Sequence, residues 1–391
     1  MTISLQDVRA REFPWADRGD TIYLNHASTG PLTVSAQAAM DEFTALRAEP
    51  WRISKEMQFS ALDRARALSA RLIGARVEDV ALMVNTSYGL NLAARALPLA
   101  AGDVVVTSDR EFPSNIYPWM ALERSRGVTL RIVPCRDRLV DEEAILSALD
   151  APGVRVLVLS WVSFETGARI DVARLGEACR ARGIWFVLDA IQGIGAAPLN
   201  VADLPVDIVA CGAQKWLLSP WGSGFVWIRP EVAERIEPVD VSWMAVRGSD
   251  DFTRLIDYDF TWRDDARRFE MVTLPFQDFA GMAASLAVME ETGFERITSR
   301  TQELATRIVE WATARPDVRL VTPADPSRRA GIVTVALPEA GKASAALSAR
   351  GVVHSLREGG IRLAPYFYTT DEEVEKALRI LDGCVQGNTS E

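Results

Sequence analysis

Four of the 43 basic residues are lysines, Lys55, Lys215, Lys342 and Lys376, so covalent amine chemistry has four candidates in this chain. Lys215 stands apart. It follows the apolar run Val206–Cys211 and a small-residue turn, and it precedes aromatics, glycines and a second apolar run, Gly224–Ile228. A lysine held between two buried strands loses solvation, which lowers its pKa and leaves a neutral, nucleophilic amine. The competing outcome is a lysine that snorkels to water or pairs with an acid. Lys55, Lys342 and Lys376 lie in polar, glycine-bounded or acidic stretches and read as solvated surface groups.

Two further segments carry chemistry. Asp189 closes the apolar run Ile184–Leu188, and Gln192 follows three residues later. Open parallel sheets place ligand-binding groups at the carboxyl ends of their strands. A carboxylate there either holds a protonated ring nitrogen or caps the helix that follows, and both readings stand. Upstream, Val80–Val84 runs into Asn85-Thr86-Ser87-Tyr88-Gly89, a hydroxyl-rich turn opening a helix. Free N–H groups and the helix dipole make such a turn a phosphate site, although plain N-capping explains the same residues. Only two histidines exist, His26 and His354. A histidine-based zinc site or a Ser-His-Asp triad would have to rest on one of them.

The elements that must position these groups alternate. Strands are expected at Asp79–Val84, Asp103–Thr107, Thr129–Val133, Arg155–Ser160, Ile184–Leu188, Asp207–Cys211 and Gly224–Ile228. Helices are expected between them at Leu90–Leu97, Asn115–Arg126, Glu142–Leu149 and Val172–Arg182. That order predicts an α/β fold, a mostly parallel sheet covered by helices. After about residue 265 helical pattern dominates (Phe279–Glu291, Glu295–Ala314), followed by short strands and a last helix from about Thr370 to Leu381. A large domain over 16–264 and a smaller α+β domain over 265–391 follow, with residues 1–15 packing on the latter. The polar tail Gln386–Glu391 is expected to fray.

Composition narrows the partners. Net charge is −10 with no basic cluster, which disfavours nucleic acid. No apolar run is long enough to span a membrane, and Met1–Arg11 lacks a signal-peptide core, so a cytoplasmic protein is expected. The four cysteines have no metal-ligand spacing and read as incidental thiols of a reducing compartment. A nucleotide-binding α/β enzyme is disfavoured, because no GxGxxG follows an early strand.

The segments Asn85–Asn91, Asp189-Ala-Ile-Gln192 and Gly212-Ala-Gln-Lys215-Trp-Leu, in that order and spacing, resemble the class V aminotransferase family of fold-type I pyridoxal-phosphate (PLP) enzymes. So do Tyr23-Leu-Asn-His-Ala-Ser-Thr-Gly-Pro31, Arg268-Phe-Glu-Met-Val-Thr273 and the stretch from Ile361-Arg362 onward, and the likeness covers nearly the whole chain. The resemblance implies an aspartate-aminotransferase-like fold, pyridoxal 5′-phosphate as cofactor and Lys215 as the Schiff-base lysine. It implies Asp189 on the pyridine nitrogen and Gln192 near the phenolic oxygen. Ser87, with the backbone around Thr86 and Tyr88, would hold the phosphate, and Phe112 would stack on the ring. Arg362 would bind the α-carboxylate of an amino-acid substrate. Thr273 would reach the phosphate site of the neighbouring subunit, which implies a homodimer. His26 either touches substrate or packs. Trp216, Trp221 and Trp243 either shape a pocket or fill the core.

Departures from the family's desulfurases direct the reaction. Phe112 stands where those enzymes stack a histidine, Gly212 and Gln214 replace a serine and a histidine, and Gly351–Ile361 contains no cysteine. The patterns around Glu111-Phe-Pro-Ser, Ser163-Phe-Glu-Thr-Gly167 and Gln214-Lys-Trp-Leu look closer to the isopenicillin N epimerase-like and ergothioneine-pathway C–S lyase branch. β-Elimination after removal of the α-proton is therefore expected, with epimerisation or amino transfer as alternatives. A non-catalytic PLP-binding protein is the remote one.

Overall fold

A computed structural model describes residues 3–385 of the chain; the tail expected to fray lies outside them. A short strand β1 (Ile22–Tyr23) precedes a seven-stranded sheet. Its strands are β2 (Val80–Leu82), β3 (Val104–Ser108), β4 (Thr129–Val133), β5 (Val154–Ser160), β6 (Trp185–Asp189), β7 (Ile208–Gly212) and β8 (Gly224–Ile228). The spatial order is β2-β8-β7-β6-β5-β3-β4. All pairings are parallel except those of β8, which runs antiparallel to both β7 and β2. Every residue of β3, β6, β7 and β8 is buried, as strands covered on both faces must be. That explains their unbroken runs of Val, Ile, Leu and Phe.

Several helices between strands begin on side-chain caps, and two of them stop on glycines. Asp141 Oδ1 accepts from the Ala144 N–H and Asp171 Oδ1 from the Arg174 N–H. Gly183, at φ +66°, ends the helix Val172–Arg182 in the left-handed region that a side chain disfavours. The helix expected from Leu90 starts four residues earlier, at Thr86, because Asn85 caps it.

A second sheet, β9 (Arg319–Leu320), β10 (Val333–Ala336), β12 (Ser355–Arg357) and β13 (Gly360–Leu363), has the antiparallel order β12-β13-β10-β9. Between them β11 (Val352–Val353) pairs in parallel with β1. Ile22 and Leu24 thus share a core with Leu304–Leu381, while Phe276, Phe279 and Met282 belong to the core of the large sheet. Ile332, Ala364 and Tyr366 join that large-sheet core as well, so the two cores interleave along the C-terminal part of the chain. The N-terminal helix Leu5–Glu12 is tied to the C-terminal part: Arg9 donates to the Tyr368 carbonyl at 2.7 Å and pairs with Glu373 at 2.9 Å. Helices Val34–Ala48, Lys55–Leu72 and Ala340–Ala349 were not legible beforehand. The first buries only Ala36 and Phe43, too few apolar positions to set a period.

Candidate active site

The carboxyl ends of the parallel strands bring the singled-out residues together. Asp189 ends β6 beside Ser160 at the end of β5, and Gly212 ends β7 three residues before Lys215. The sheet order turns back between β3 and β5, and the residues after β3, Glu111 and Phe112, border the same crevice.

Lys215 is half-buried, and no hydrogen-bond acceptor or acid pairs with its amine among the described residues. Nζ lies 5.7 Å from the centroid of the Phe112 ring. Burial pulls the amine below the ordinary lysine range, outweighing the attraction of Asp189. Asp189 is 3% exposed. One carboxyl oxygen accepts from the Ile191 N–H at 3.1 Å, and the other has no partner among the described residues. Burial raises its pKa; the Ile191 N–H and Lys215 oppose that, and buried Glu111 adds to it.

The turn before the lysine is fixed from two sides. Thr86 Oγ1 accepts from the Gly212 N–H at 2.8 Å, joining the helix start to the end of β7. The Gly30 N–H donates to the Gln214 carbonyl at 2.8 Å, and a Cβ on Gly30 would lie 2.0 Å from the Lys215 carbonyl oxygen. Only glycine allows that approach. At the helix start, Tyr88 N–H is taken by Asn85 Oδ1 at 2.9 Å, whereas the N–H groups of Thr86 and Ser87 have no intrahelical acceptor. Ser87 Oγ donates to Ser114 Oγ at 3.0 Å.

Arg362, on β13, is 2% exposed. Its guanidinium donates to the Phe164 carbonyl and to Ser28 Oγ, both at 2.7 Å, and more weakly to Ser355 Oγ at 3.4 Å. Nε has no partner, and no carboxylate pairs with the group among the described residues. Burial, with Arg357 nearby, lowers its pKa to about 10. Phe164 packs edge-on against Phe112 at 5.3 Å, so the arginine, the phenyl ring and the lysine border one space. A buried cation without an anion is costly and marks a place for one.

The chain matches the family "Aminotransferase class-V" over residues 22–376. It belongs to that family. It is 31% identical over 376 residues to an isopenicillin N epimerase of Streptomyces clavuligerus, covering 92% of this chain and 94% of that one. It is 27% identical over 412 residues to a probable cysteine desulfurase of Aeropyrum pernix, covering 97% of each. The apo structure of a cysteine desulfurase from Thermococcus onnurineus NA1 superposes with a TM-score of 0.86 at 24% identity, over 99% of this chain and 100% of that one. That likeness bears out the fold-type I architecture.

Against this class V frame, several expectations need correcting. His26 does not open on the site: it is fully buried, with Nδ1 on the Ala364 carbonyl and Nε2 on the Tyr368 hydroxyl, both at 2.9 Å. It packs, and burial lowers its pKa to about 4. The Tyr88 N–H is spent on the cap, and its hydroxyl turns to the Phe269 carbonyl, so Tyr88 has no donor free for phosphate. Gln192 braces the lysine turn, its amide donating to the Ala27 carbonyl at 2.9 Å and accepting from Trp216 Nε1 at 3.0 Å. One amide hydrogen remains. Of the tryptophans, Trp216 is core and Trp243, 45% exposed, lines a separate cavity of about 880 Å³, whereas Trp221 is 72% exposed. Thr273 is exposed and touches nothing in its own chain's lysine site.

The sequence reading passed over Ser28, Ser114, Phe164 and Ser355 as site residues. Each lies inside or beside a motif already singled out, but contacts formed across 334 or 27 positions leave no local signal.

Proposed function

We propose that this class V enzyme holds pyridoxal 5′-phosphate on Lys215 and removes the α-proton of an amino acid bound at Arg362, with β-elimination as the outcome. The observation that carries the reading is convergence. Asp189 and Arg362 both act on the Lys215 amine through their charge, and Lys215 Nζ, one oxygen of Asp189 and Nε of Arg362 lack hydrogen-bond partners among the described residues. Those groups fit the cofactor: an amine for an aldehyde, a carboxylate for a ring nitrogen, and the open N–H groups of Thr86 and Ser87 with the Ser87–Ser114 hydroxyls for a phosphate. The free amide hydrogen of Gln192 is available to the phenolic oxygen, and Phe112 offers a face for stacking. When bound, pyridoxal phosphate supplies an electron sink for the charge left by an α-proton.

The protein's part is positional. Arg362 presents a bidentate guanidinium to the substrate carboxylate. The lowered pKa of Lys215 lets its Nζ accept the α-proton near neutral pH. Asp189 carries the countercharge. Phe112 and Phe164 form a wall with no proton carrier, which supports one-base chemistry and weighs against a second base for inversion. A persulfide-forming desulfurase lacks its nucleophile, since Gly351–Ile361 has no cysteine and Cys384 packs against the C-terminal core. Epimerisation is the second reading, favoured by the 31% identity with isopenicillin N epimerase.

A homodimer belongs to this proposal. Ile256, Tyr258 and Phe260 are 79%, 92% and 71% exposed, an apolar stretch that water disfavours, and a second copy would cover it while Thr273 reaches that copy's phosphate site.

The test is a screen of amino acids with a leaving group on the β-carbon, following ammonia, 2-oxo acid and enantiomer. Equimolar ammonia and 2-oxo acid are expected, and Lys215→Ala should abolish turnover and the absorbance of the lysine-bound cofactor. Inversion without ammonia would replace elimination by epimerisation. Undiminished turnover in Lys215→Ala would end the whole reading.

A further inference from the structure

A second unpaired guanidinium lies away from Lys215. Arg169 follows the turn Ser163–Gly167, and its backbone N–H donates to the Arg328 carbonyl at 2.8 Å, where the large domain meets the C-terminal one. Its guanidinium lies over Trp161, 5.4 Å from the ring. Nε is buried without a partner, and among the described residues the side chain makes no hydrogen bond or ion pair. It lines a cavity of about 140 Å³, bounded also by Cys135, Ser163, Thr166 and Arg328. That cavity contains neither Lys215 nor Arg362.

The charges around it do not cancel. Arg110 and Arg138 share the single carboxylate of buried Glu165. Arg328 is bound to Glu142. Glu111 is held by Ser160 and by Asn115. Arg169 alone has no acid, and the neighbouring Arg328 adds to its positive field. A half-buried guanidinium is stabilised by an anion that can take two of its N–H groups, and an oxyanion matches that fork. Ser163 and Thr166 bring hydroxyls to the same wall.

We propose that this cavity is a second anion site, centred on Arg169, that takes a small free oxyanion of the phosphate or sulfate class at the seam between the domains. It stands independently of the cofactor reading. The site adjoins the turn whose Phe164 carbonyl holds Arg362, so occupancy would steady that turn from behind.

Inorganic phosphate titrated calorimetrically into the phosphate-free enzyme as purified tests the assignment. Saturable binding is expected, weakened at least tenfold in Arg169→Met and largely restored in Arg169→Lys. Equal binding in the wild type and Arg169→Met, or none in the wild type, overturns it. Should the variants not fold, wild-type crystals grown with selenate decide. An anomalous peak within hydrogen-bond distance of the Arg169 guanidinium supports the site, and its absence there refutes it.

Discussion

Arg66 and Arg362 are 4% and 2% exposed, and they differ in what answers their charge. Arg66, on the helix Lys55–Leu72, donates through Nε and Nη2 to Glu270 and through Nη1 to Asp63. Glu270 in turn accepts from the Leu82 N–H at 2.8 Å, fixing the edge strand β2. Among the described residues Arg362 has only a carbonyl and two serine hydroxyls. The same side chain at the same depth is a brace in one region and a receptor in the other. What separates them is whether the fold supplies the anion.

That contrast can be broken experimentally. Arg66→Met should cost about 3–5 kcal/mol of stability, because it strands the Glu270 carboxylate in the interior; denaturant melts measure it. Arg362→Met should weaken amino-acid binding by roughly 2–5 kcal/mol, read in KM or a binding isotherm, with little change in the melt. If Arg362→Met unfolded the protein as Arg66→Met does, the two arginines would be alike and the receptor assignment would fail.

His26 sharpens the comparison as a buried base kept neutral. Its pKa falls from 6.5 to about 4 on folding. Below pH 6.5 the unfolded chain binds a proton that the folded one refuses, so stability is lost as pH drops from about 6.5 toward 4. The lost stability is about 3 kcal/mol. Melts at pH 7 and pH 4.5 should show this slope, and His26→Gln should flatten it. Trp221→Ala is the smallest change, within about 0.5 kcal/mol in the isolated chain, since that ring is largely solvated.

The sheet was legible because strands buried on both faces must be apolar throughout, and all seven lie within a residue or two of their expected bounds. Lys215 and Asp189 were legible because they interrupt such runs at strand ends. The arginine's surroundings were not: Ser28 reaches Arg362 from 334 positions away, and Ser355 faces it only once β12 folds back on β13. The burial of His26 was hidden for the same reason, because its partners Ala364 and Tyr368 come from the far end of the chain.

The pairing of β1 with β11 has a consequence for synthesis. Ile22 and Tyr23 leave the ribosome well before the large sheet is made, yet their partners Val352 and Val353 follow it. The large sheet, complete by Ile228, can form while translation continues, in the order usual for nascent domains. The arginine-bearing unit must wait for β11 and β13, with its own first strand held unpaired until then.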